Sequence, residues 1–456
     1  MSDTGAGTEP AGTAVVEREG YRVAARLEGA SEYAKTRRPV KYGRYSLIES
    51  PEAVLQFDIN GEIVRARGKG ADWPEPREWL KRTPGNDWVY YSTGGYSGTY
   101  ESLGGGLLEE PIRFRMPAPY NEIFKATGEF YLPNFRYPSN SILGGEPFNN
   151  PAVTKILNCW PDIVRKALEA LGPDGQAGDF LKAAVSNSPE RLEQRAEEFH
   201  GIIGGRIGVL PPDARHVDYD VIPVPVSRGC LYNCSFCKVK DGKGFRALAK
   251  DEIRRTIGRL KNFYGLEQEN YNSVLLAGND ALNAGRENVI FAAGCALGEF
   301  GIRESYMKGA NLFMFGSVDS FLGAEAGLFR ELNGIGCRTY INVGLESADQ
   351  ATLERLGKPV RAADVMRCFE RMLRVNEEFE NIEATANFVM DDSLPQSHYD
   401  TFMDLAGKSP AGEAGMAPVY LSPLCLTRPG ERTMFHFNQL KSLSRMPVYL
   451  YIIQRL

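Results

Sequence analysis

Three cysteines, Cys230, Cys234 and Cys237, lie close together in the segment SRGCLYNCSFCKVKDGKGF. Gly229 and Asn233 permit the tight turns that three thiolates need to converge on one group. A 4Fe-4S cluster has four irons, each normally bound by one cysteine, so three cysteines leave one iron open. Structural zinc takes four closed ligands at short spacings, and no regular fourth ligand lies nearby. The spacing therefore favours an iron-sulfur cluster with an open iron.

An open iron invites a chelating ligand, and the amino and carboxylate groups of a methionine moiety form a five-membered chelate. A sulfonium held in this way can accept one electron from the reduced cluster and release a 5′-deoxyadenosyl radical, while the protein positions the groups and excludes water. Two metal readings stay open: a zinc site with three thiolates, and a closed cluster with a distant fourth cysteine. The remaining cysteines are scattered among apolar neighbours and are expected to be small buried residues: Cys159, Cys295, Cys337, Cys368 and Cys425.

The elements that position these cysteines begin after Val221. Six short β-type runs alternate with amphipathic helices, a pattern typical of βα units around a parallel sheet. The runs are VIPVPV, SVLLAG, NLFMFG, TYINVG, IEATANFVM and PVYLSP. We therefore expect an α/β fold containing a partial (β/α)6 barrel. The cysteine loop follows the first strand, at the carboxyl-terminal rim where such barrels carry their active sites.

The cysteine segment resembles the fingerprint of the radical S-adenosylmethionine (SAM) superfamily, C-x3-C-x-aromatic-C, with Phe236 at the aromatic position. LLAGND resembles the methionine-binding motif of that superfamily, which would place Gly278, Asn279 and Asp280 at the amino group of SAM. YINVGLESADQATLERLGKP resembles the branch containing coproporphyrinogen oxidases, tRNA methylthiotransferases and the Elongator catalytic subunit. Further cofactor contacts are expected by resemblance at Ser317, Glu346 and Ser347.

Two later segments are similar to the fifth- and sixth-strand ends of the superfamily: NFVMDDSLPQSHYDTFMDLA and LSPLCLTRPGERTMF. Asp391 and Asp392 replace the usual glycine, and Glu431 replaces the usual threonine. The resemblance implies that Cys230, Cys234 and Cys237 hold a catalytic 4Fe-4S cluster and that SAM is the second cofactor. No cobalamin-type D-x-H-x-x-G pattern precedes the barrel, and no cysteine follows Cys425, so a single cluster is expected.

The resemblance implies an enzyme whose radical abstracts hydrogen from a substrate, which we expect to be a small molecule. It also implies an electron donor such as flavodoxin or ferredoxin. Two alternatives stay open: a radical SAM modifier of RNA or protein, and a non-catalytic iron-sulfur protein. The net charge of -5 does not favour nucleic acid. Lys238, Lys240, Lys243 and Arg246 could contact an anionic substrate, although charge runs near loops are usually solvated.

The remainder of the 456 residues predicts four parts. Residues 1–14 are expected to be a flexible tail, 15–215 an N-terminal α+β extension, 216–432 the barrel and 433–456 a C-terminal extension. In the second part, Asn60-Gly61 suits a type I′ hairpin turn, and Ser188 followed by Pro189 suits a helix start. The Gly-rich stretch from Gly94 to Asn150 predicts irregular loops, and the whole extension is expected to help cover the substrate cavity.

Neither a secretory signal nor a long apolar run is evident in the sequence. The N-terminus MSDTGAGTEP is polar, and the apolar closing segment PVYLYIIQRL is short enough to be a packed terminal helix or strand. Together with cysteines clustered for metal rather than disulfides, this composition predicts a cytoplasmic protein without a membrane span.

Overall fold

The computed structural model describes residues 14–33, 42–74, 79–92, 130–133, 147–237, 242–407, 418–424, 436–437, 439–441, 443–451 and 456. Several predictions lie outside these residues: almost all of the flexible tail, most of the irregular loops between Gly94 and Asn150, and the turn at Glu431. Cys425, Lys238 and Lys240 also lie outside them.

The N-terminal part of the chain is built on an antiparallel sheet in which each strand pairs with its neighbours in sequence. Its strands are β1 (Ala14–Arg18), β2 (Tyr21–Glu28), β3 (Arg44–Glu49), β4 (Ala53–Phe57), β5 (Ile63–Gly68), β6 (Trp79–Arg82), β7 (Trp88–Ser92) and β8 (Phe130–Pro133). The expected α+β extension is confirmed. Strand β8 lies within the stretch expected to be irregular, so that expectation was wrong for these four residues.

Three helices follow this sheet in the chain: α1 (Pro151–Leu171), α2 (Gly175–Ser186) and α3 (Pro189–Ile203). Along α1, Val153, Ile156, Trp160 and Val164 recur at helical spacing and are all buried. Helix α1 contacts β1, β2 and β5, and α2 contacts β1 and β2. The predicted start of α3 is confirmed, because Ser188 accepts a hydrogen bond from the Arg191 amide and Pro189 begins the helix.

The turn at Asn60-Gly61 differs from the predicted type I′ turn. Only Gly61 has a positive φ, +78°, whereas a type I′ turn needs positive φ at both central residues. The Gly61 amide instead donates to the Asp58 carbonyl, and the Glu62 amide donates to the Asp58 carboxylate. Side-chain bonding by Asp58 therefore sets a longer turn, which the dipeptide alone does not indicate.

The second sheet is entirely parallel, in the order β17-β16-β15-β14-β13-β12-β9. Its strands are β9 (Ile222–Pro225), β12 (Ser273–Ala277), β13 (Asn311–Ser317), β14 (Arg338–Glu346), β15 (Ile382–Met390), β16 (Val419–Pro423) and β17 (Val448–Leu450). A short antiparallel pair, β10 (Ser227–Arg228) and β11 (Arg246–Ala247), closes the base of the cysteine loop. All six predicted strands are present, and the closing apolar segment supplies the seventh.

Helices connect these strands as βα units. They are α4 (Lys250–Tyr264), α5 (Arg286–Glu299), α6 (Val318–Gly323), α7 (Ala326–Asn333), α8 (Gln350–Arg355), α9 (Ala362–Glu378) and α10 (Gln396–Gly407). The parallel sheet with its helices confirms the expected α/β class and partial barrel. Among the described residues, no helix combines the length and the apolar character needed to cross a membrane.

Buried ion pairs join the antiparallel sheet to the barrel. Arg65 on β5 lies 3.0 Å from the Asp218 carboxylate, and Lys81 on β6 lies 2.7 Å from the Asp220 carboxylate. The Lys81 ammonium also donates to the Asp218 carbonyl. Because Asp218 and Asp220 immediately precede β9, the N-terminal sheet fixes the start of the barrel.

Candidate active site at the carboxyl ends of the parallel strands

A cavity of about 560 Å³ opens at the carboxyl ends of the parallel strands. Nine of the ten residues proposed from the sequence line it: Cys230, Cys234, Phe236, Cys237, Gly278, Asn279, Asp280, Ser317 and Glu346. They come from the ends of three different strands and the loop after β10, so the parallel register brings together residues that are far apart in sequence.

The cysteine loop is held by backbone contacts at both ends. The Cys230 amide donates to the Lys243 carbonyl, and the Ser235 amide and hydroxyl both bond the Leu356 carbonyl. Gly229 has φ +72° and Asn233 has φ +53°, which confirms that both residues provide turns in the left-handed region. A Cβ atom at Gly229 would stand 2.1 Å from the Gly244 carbonyl oxygen, so this approach also requires glycine.

The three thiols are close enough for Cys230 and Cys237 to affect the titration of Cys234. The pKa of Cys234 is raised to about 11, chiefly by burial and also by the nearby Glu346, Cys230 and Cys237. The neighbouring Lys358 ammonium acts in the opposite direction. In the part of the chain that the structure describes, no three His, Cys, Asp or Glu side chains converge as ligands of a single metal ion. A cluster binds each thiolate through a different iron, so its cysteines need not converge on one point. Three cysteines on one loop therefore fit a cluster in which each binds a different iron.

A lysine balances the negative charge around these thiols. The Lys358 ammonium donates to the Gly344 carbonyl at 2.7 Å and to the Glu346 carboxylate at 3.4 Å. Glu346 has φ +64°, an unusual conformation for a residue with a long side chain, beside a bulge between β14 and β15. Glu346 adopts this conformation at the point where it lines the cavity. Lys358 was not among the site residues predicted from the sequence.

Hydrogen bonds hold Asp280 on the cavity wall. One carboxylate oxygen accepts from the Ser317 amide and the Ser320 hydroxyl, whereas the other, Oδ2, is buried and has no partner among the described residues. Burial raises the pKa of Asp280, and the hydrogen bonds from Ser317 and Ser320 counteract that rise. The Ser227 hydroxyl is a second buried oxygen on the cavity wall for which the described part of the chain provides no partner. Two such atoms fit a ligand that presents hydrogen-bond donors, as the amino group of a methionine moiety does.

Ser347 is the one proposed residue that does not line the cavity. It is fully buried, and its hydroxyl lies 2.8 Å from His398 Nδ1. Since His398 Nε2 is 2.9 Å from the Val389 carbonyl, which can only accept, Nδ1 accepts the Ser347 proton. The Ser347 oxygen in turn accepts from the Asp349 amide. The geometry gives Ser347 a role in positioning the turn after β14.

The sequence matches the radical SAM superfamily over residues 224–383, which contain the cysteine loop and the cavity-lining ends of β12, β13 and β14. These residues are a radical SAM domain. The radical SAM superfamily uses a 4Fe-4S cluster and SAM. The cysteine set and the unpartnered oxygens of Ser227 and Asp280 fit these two groups.

Solved structures similar to this chain include other radical SAM proteins. The cobalamin-dependent SAM radical enzyme OxsB is 16% identical over 41% of this chain and 26% of its own, with a TM-score of 0.32. SuiB from Streptococcus suis, in a structure with SAM bound, is 11% identical over 71% of this chain and 67% of its own, with a TM-score of 0.35. Methylornithine synthase (PylB) is 11% identical over 70% and 86%, with a TM-score of 0.31. This chain thus spans about a quarter of OxsB. No curated protein is detectably similar in sequence.

The sequence motifs did not identify several other cavity residues. Asn342, Asn387 and Ser422 lie on β14, β15 and β16, and residues 203–209 border the cavity from the N-terminal side. Polar residues in the middle of strands that are buried on both faces were an available signal, because such strands are normally apolar throughout.

Proposed function

We propose that this protein is an enzyme that cleaves SAM reductively at a single 4Fe-4S cluster and abstracts hydrogen from a small-molecule substrate. The observation that carries the proposal is the convergence of Cys230, Cys234 and Cys237 on the same cavity as Asp280 and Glu346. When bound, the cluster and SAM supply one-electron cleavage of a carbon–sulfur bond and a 5′-deoxyadenosyl radical.

The residues of this chain bind and orient the cofactors in the proposal. Cys230, Cys234 and Cys237 hold three irons as thiolates, and the neighbouring Lys358 ammonium offsets part of their charge. Asp280 Oδ2 and Ser227 Oγ accept hydrogen bonds from the amino group of SAM, since both atoms are buried and lack partners. Glu346 is the candidate for the ribose hydroxyls.

The cavity wall also excludes water from the reacting groups. Leu275, Phe315 and Leu424 supply apolar surface from the strand ends, and Ile207 and Val209 supply it from the N-terminal side. A radical that can remove hydrogen from many groups requires such an enclosure, because contact with water or mobile side chains allows side reactions. This contribution from residues 203–209 supports the proposed covering role of the N-terminal extension.

The partners and location follow as further parts of the proposal. The cluster requires an electron donor, for which flavodoxin or ferredoxin is the candidate class, and such donors act in the cytoplasm. The cavity of about 560 Å³ and the net charge of -5 support a small molecule, rather than a nucleic acid, as the substrate. The three domain boundaries, at residues 14/15, 215/216 and 432/433, stay predictions.

Anaerobic cluster reconstitution tests the proposal directly. The full chain, reduced in the presence of SAM, is expected to form 5′-deoxyadenosine, and alanine at any one of Cys230, Cys234 or Cys237 is expected to abolish the product. Cys295→Ala is the matched control, since Cys295 is also partly exposed but lies on α5 away from the cavity. A chain with a demonstrably loaded cluster that forms no 5′-deoxyadenosine would contradict the enzyme proposal and favour an electron-transfer or structural cluster.

A further inference from the structure

Asn342 on β14 presents a buried, unpartnered acceptor to the cavity. Its side chain is only 1% exposed, and its Nδ2 donates to the Thr385 hydroxyl at 2.9 Å. The carboxamide oxygen, Oδ1, is buried and has no hydrogen-bond partner within the described residues. A buried carbonyl oxygen without a partner is unfavourable, so it indicates a place where a ligand group or a water completes the site.

The orientation of this carboxamide is fixed by a chain of hydrogen bonds beneath the cavity. The Thr385 hydroxyl donates to Asp213 Oδ2 at 2.8 Å, and the Tyr420 hydroxyl donates to Asp213 Oδ1 at 2.7 Å. A hydroxyl has one proton to give, so Thr385 can only accept from Asn342. The amide nitrogen therefore faces Thr385, and the oxygen faces away from it.

A second contact fixes the direction of this chain from its other end. The Arg215 guanidinium donates to the Tyr420 oxygen at 3.1 Å, so the Tyr420 proton is directed to Asp213. Asp213 is fully buried and receives both hydroxyl protons as an acceptor. Together, the supporting side chains direct the Asn342 amide nitrogen to Thr385 and leave its oxygen, Oδ1, available to accept.

The depth of Asn342 separates it from the proposed cofactor contacts. It precedes Glu346 by four residues on β14, so at roughly 3.3 Å per residue it lies about 13 Å from Glu346 along the strand. Asn387 and Ser422, on the two adjacent strands, also line the cavity, and the Ser422 hydroxyl donates to Asn387 Oδ1 at 2.8 Å. Asn342, Asn387 and Ser422 are neutral, whereas the acidic residues that line the cavity, Asp280 and Glu346, belong to the proposed cofactor contacts.

We propose that Asn342 binds the substrate through Oδ1 and that the substrate class is a neutral molecule carrying an N–H or O–H donor. This inference rests on the proposed function, because it assigns the deep end of the same cavity to the hydrogen-donating substrate. Thr385 and Asp213 are positioning residues, since they act by holding the Asn342 carboxamide in one orientation.

Two probes of nearly equal size test the proposal: N-methylacetamide, which has one N–H donor, and N,N-dimethylacetamide, which has none. Each is soaked into crystals of the cluster-loaded, SAM-bound full chain at a pH well above 7, and its affinity in solution is measured by ligand-observed NMR. We expect the N–H of N-methylacetamide on Asn342 Oδ1 and about fivefold tighter binding than for the dimethyl probe, which is the effect of one net hydrogen bond.

Variants separate the binding role from a structural one. Asn342→Leu, of similar size, is expected to remove the fivefold preference, and Thr385→Val is expected to weaken it by freeing the carboxamide to rotate. Thr385→Ser keeps the hydroxyl and should restore the preference. Thr339→Val is the matched control, because Thr339 is a buried threonine on β14 outside this hydrogen-bond chain.

Several results would overturn the inference: no donor preference in the native chain, the same preference in Asn342→Leu, absence of both probes from Asn342, or a SAM hydroxyl occupying Oδ1. The same preparations are assayed for 5′-deoxyadenosine. Product formation without the donor preference overturns the inference alone. A donor preference at Asn342 without product overturns the proposed function alone.

Discussion

At the scale of single residues, Ser347 shows how a motif position can have a structural role. Its hydroxyl donates to His398, and its oxygen accepts from the Asp349 amide, so the donor and an acceptor site of the side chain are both used inside the protein. Burial lowers the pKa of His398, which keeps the imidazole neutral and able to accept the Ser347 proton. The turn after β14 is therefore stabilised from within.

Replacing this serine separates stability from cofactor binding. Ser347→Ala is expected to lower the free energy of unfolding by about 1–3 kcal/mol, because it leaves buried partners unsatisfied. The affinity for SAM should change little, since Ser347 does not line the cavity. Urea denaturation and calorimetric titration of the cluster-loaded chain measure the two effects. Unchanged stability with a large loss of SAM affinity would restore the role in cofactor binding that the motif predicts.

Asp213 gives a prediction about pH. Burial and the nearby Glu383 raise its pKa to about 7, although Tyr420, Thr385 and Arg215 act in the opposite direction. Since this value exceeds the usual carboxyl pKa of about 4, the folded chain binds the proton more tightly than the unfolded chain. The resulting stabilisation is complete at low pH and is lost as pH rises from about 4 to about 7.

The comparison with Asp213→Asn isolates this effect from other titrating groups. We expect the unfolding free energy of the native chain, minus that of Asp213→Asn, to fall with rising pH through this window and then level off. Urea denaturation at a series of pH values measures the difference. A difference that stays constant through the window would show that the Asp213 pKa is not raised.

At the scale of elements, the cysteine loop depends on the loop after α8. Ser235 bonds the Leu356 carbonyl, and a Cβ atom at Gly357 would stand 2.6 Å from the Ser235 hydroxyl oxygen. Gly357 also has φ +62°, which disfavours any other residue. A change at Gly357 therefore displaces the support of the cysteine loop rather than a cysteine itself.

Gly357→Ala is expected to weaken the retention of iron by about tenfold, as loss of outer-shell support typically does. Gly172→Ala is the control, because Gly172 has φ +85° but nothing within 4 Å of an added Cβ atom. Both substitutions add a Cβ atom at a residue with positive φ, which strains the backbone. Only the Cβ atom of Gly357→Ala would contact the cysteine loop. Iron release to a chelator after reconstitution measures the effect. Equal release from the two variants would show that the contact with Ser235 does not support the cluster.

The parts of the site that sequence could predict are those whose chemistry requires fixed spacing. Cys230, Cys234 and Cys237 lie on one loop, so their local pattern suffices, and alternating βα units place that loop at a strand end. The hydrogen-bond chain from Asn342 to Asp213 joins residues that are remote in sequence, with 172 positions between Asp213 and Thr385. Only the register between β14 and β15 brings Asn342 beside Thr385. No local pattern encodes that contact.

At the scale of the whole molecule, the two sheets depend on each other. Arg65 and Lys81 from the antiparallel sheet neutralise Asp218 and Asp220 just before the first barrel strand. The same segment carries Asp213, which supports the floor of the cavity. Removal of residues 1–200 would leave these carboxylates unpaired and uncover the apolar core beside them. We therefore expect that truncation to prevent folding, so it does not test the covering role of the extension by itself.

A point substitution tests this dependence while the chain stays complete. Arg65→Met leaves the Asp218 carboxylate, whose side chain is 4% exposed, without its closest cation and is expected to cost about 3–5 kcal/mol of unfolding free energy. Arg286→Met removes a pair with Glu331 in which both side chains are 40% exposed or more, and it should cost much less because solvent screens exposed pairs. The double variant Arg65→Met with Asp218→Asn removes both charges and is expected to recover part of the loss, because the buried carboxylate that loses its closest cation is then also absent. Urea denaturation measures all three variants. If Arg65→Met were no more destabilising than Arg286→Met, apolar packing alone would hold the two sheets together.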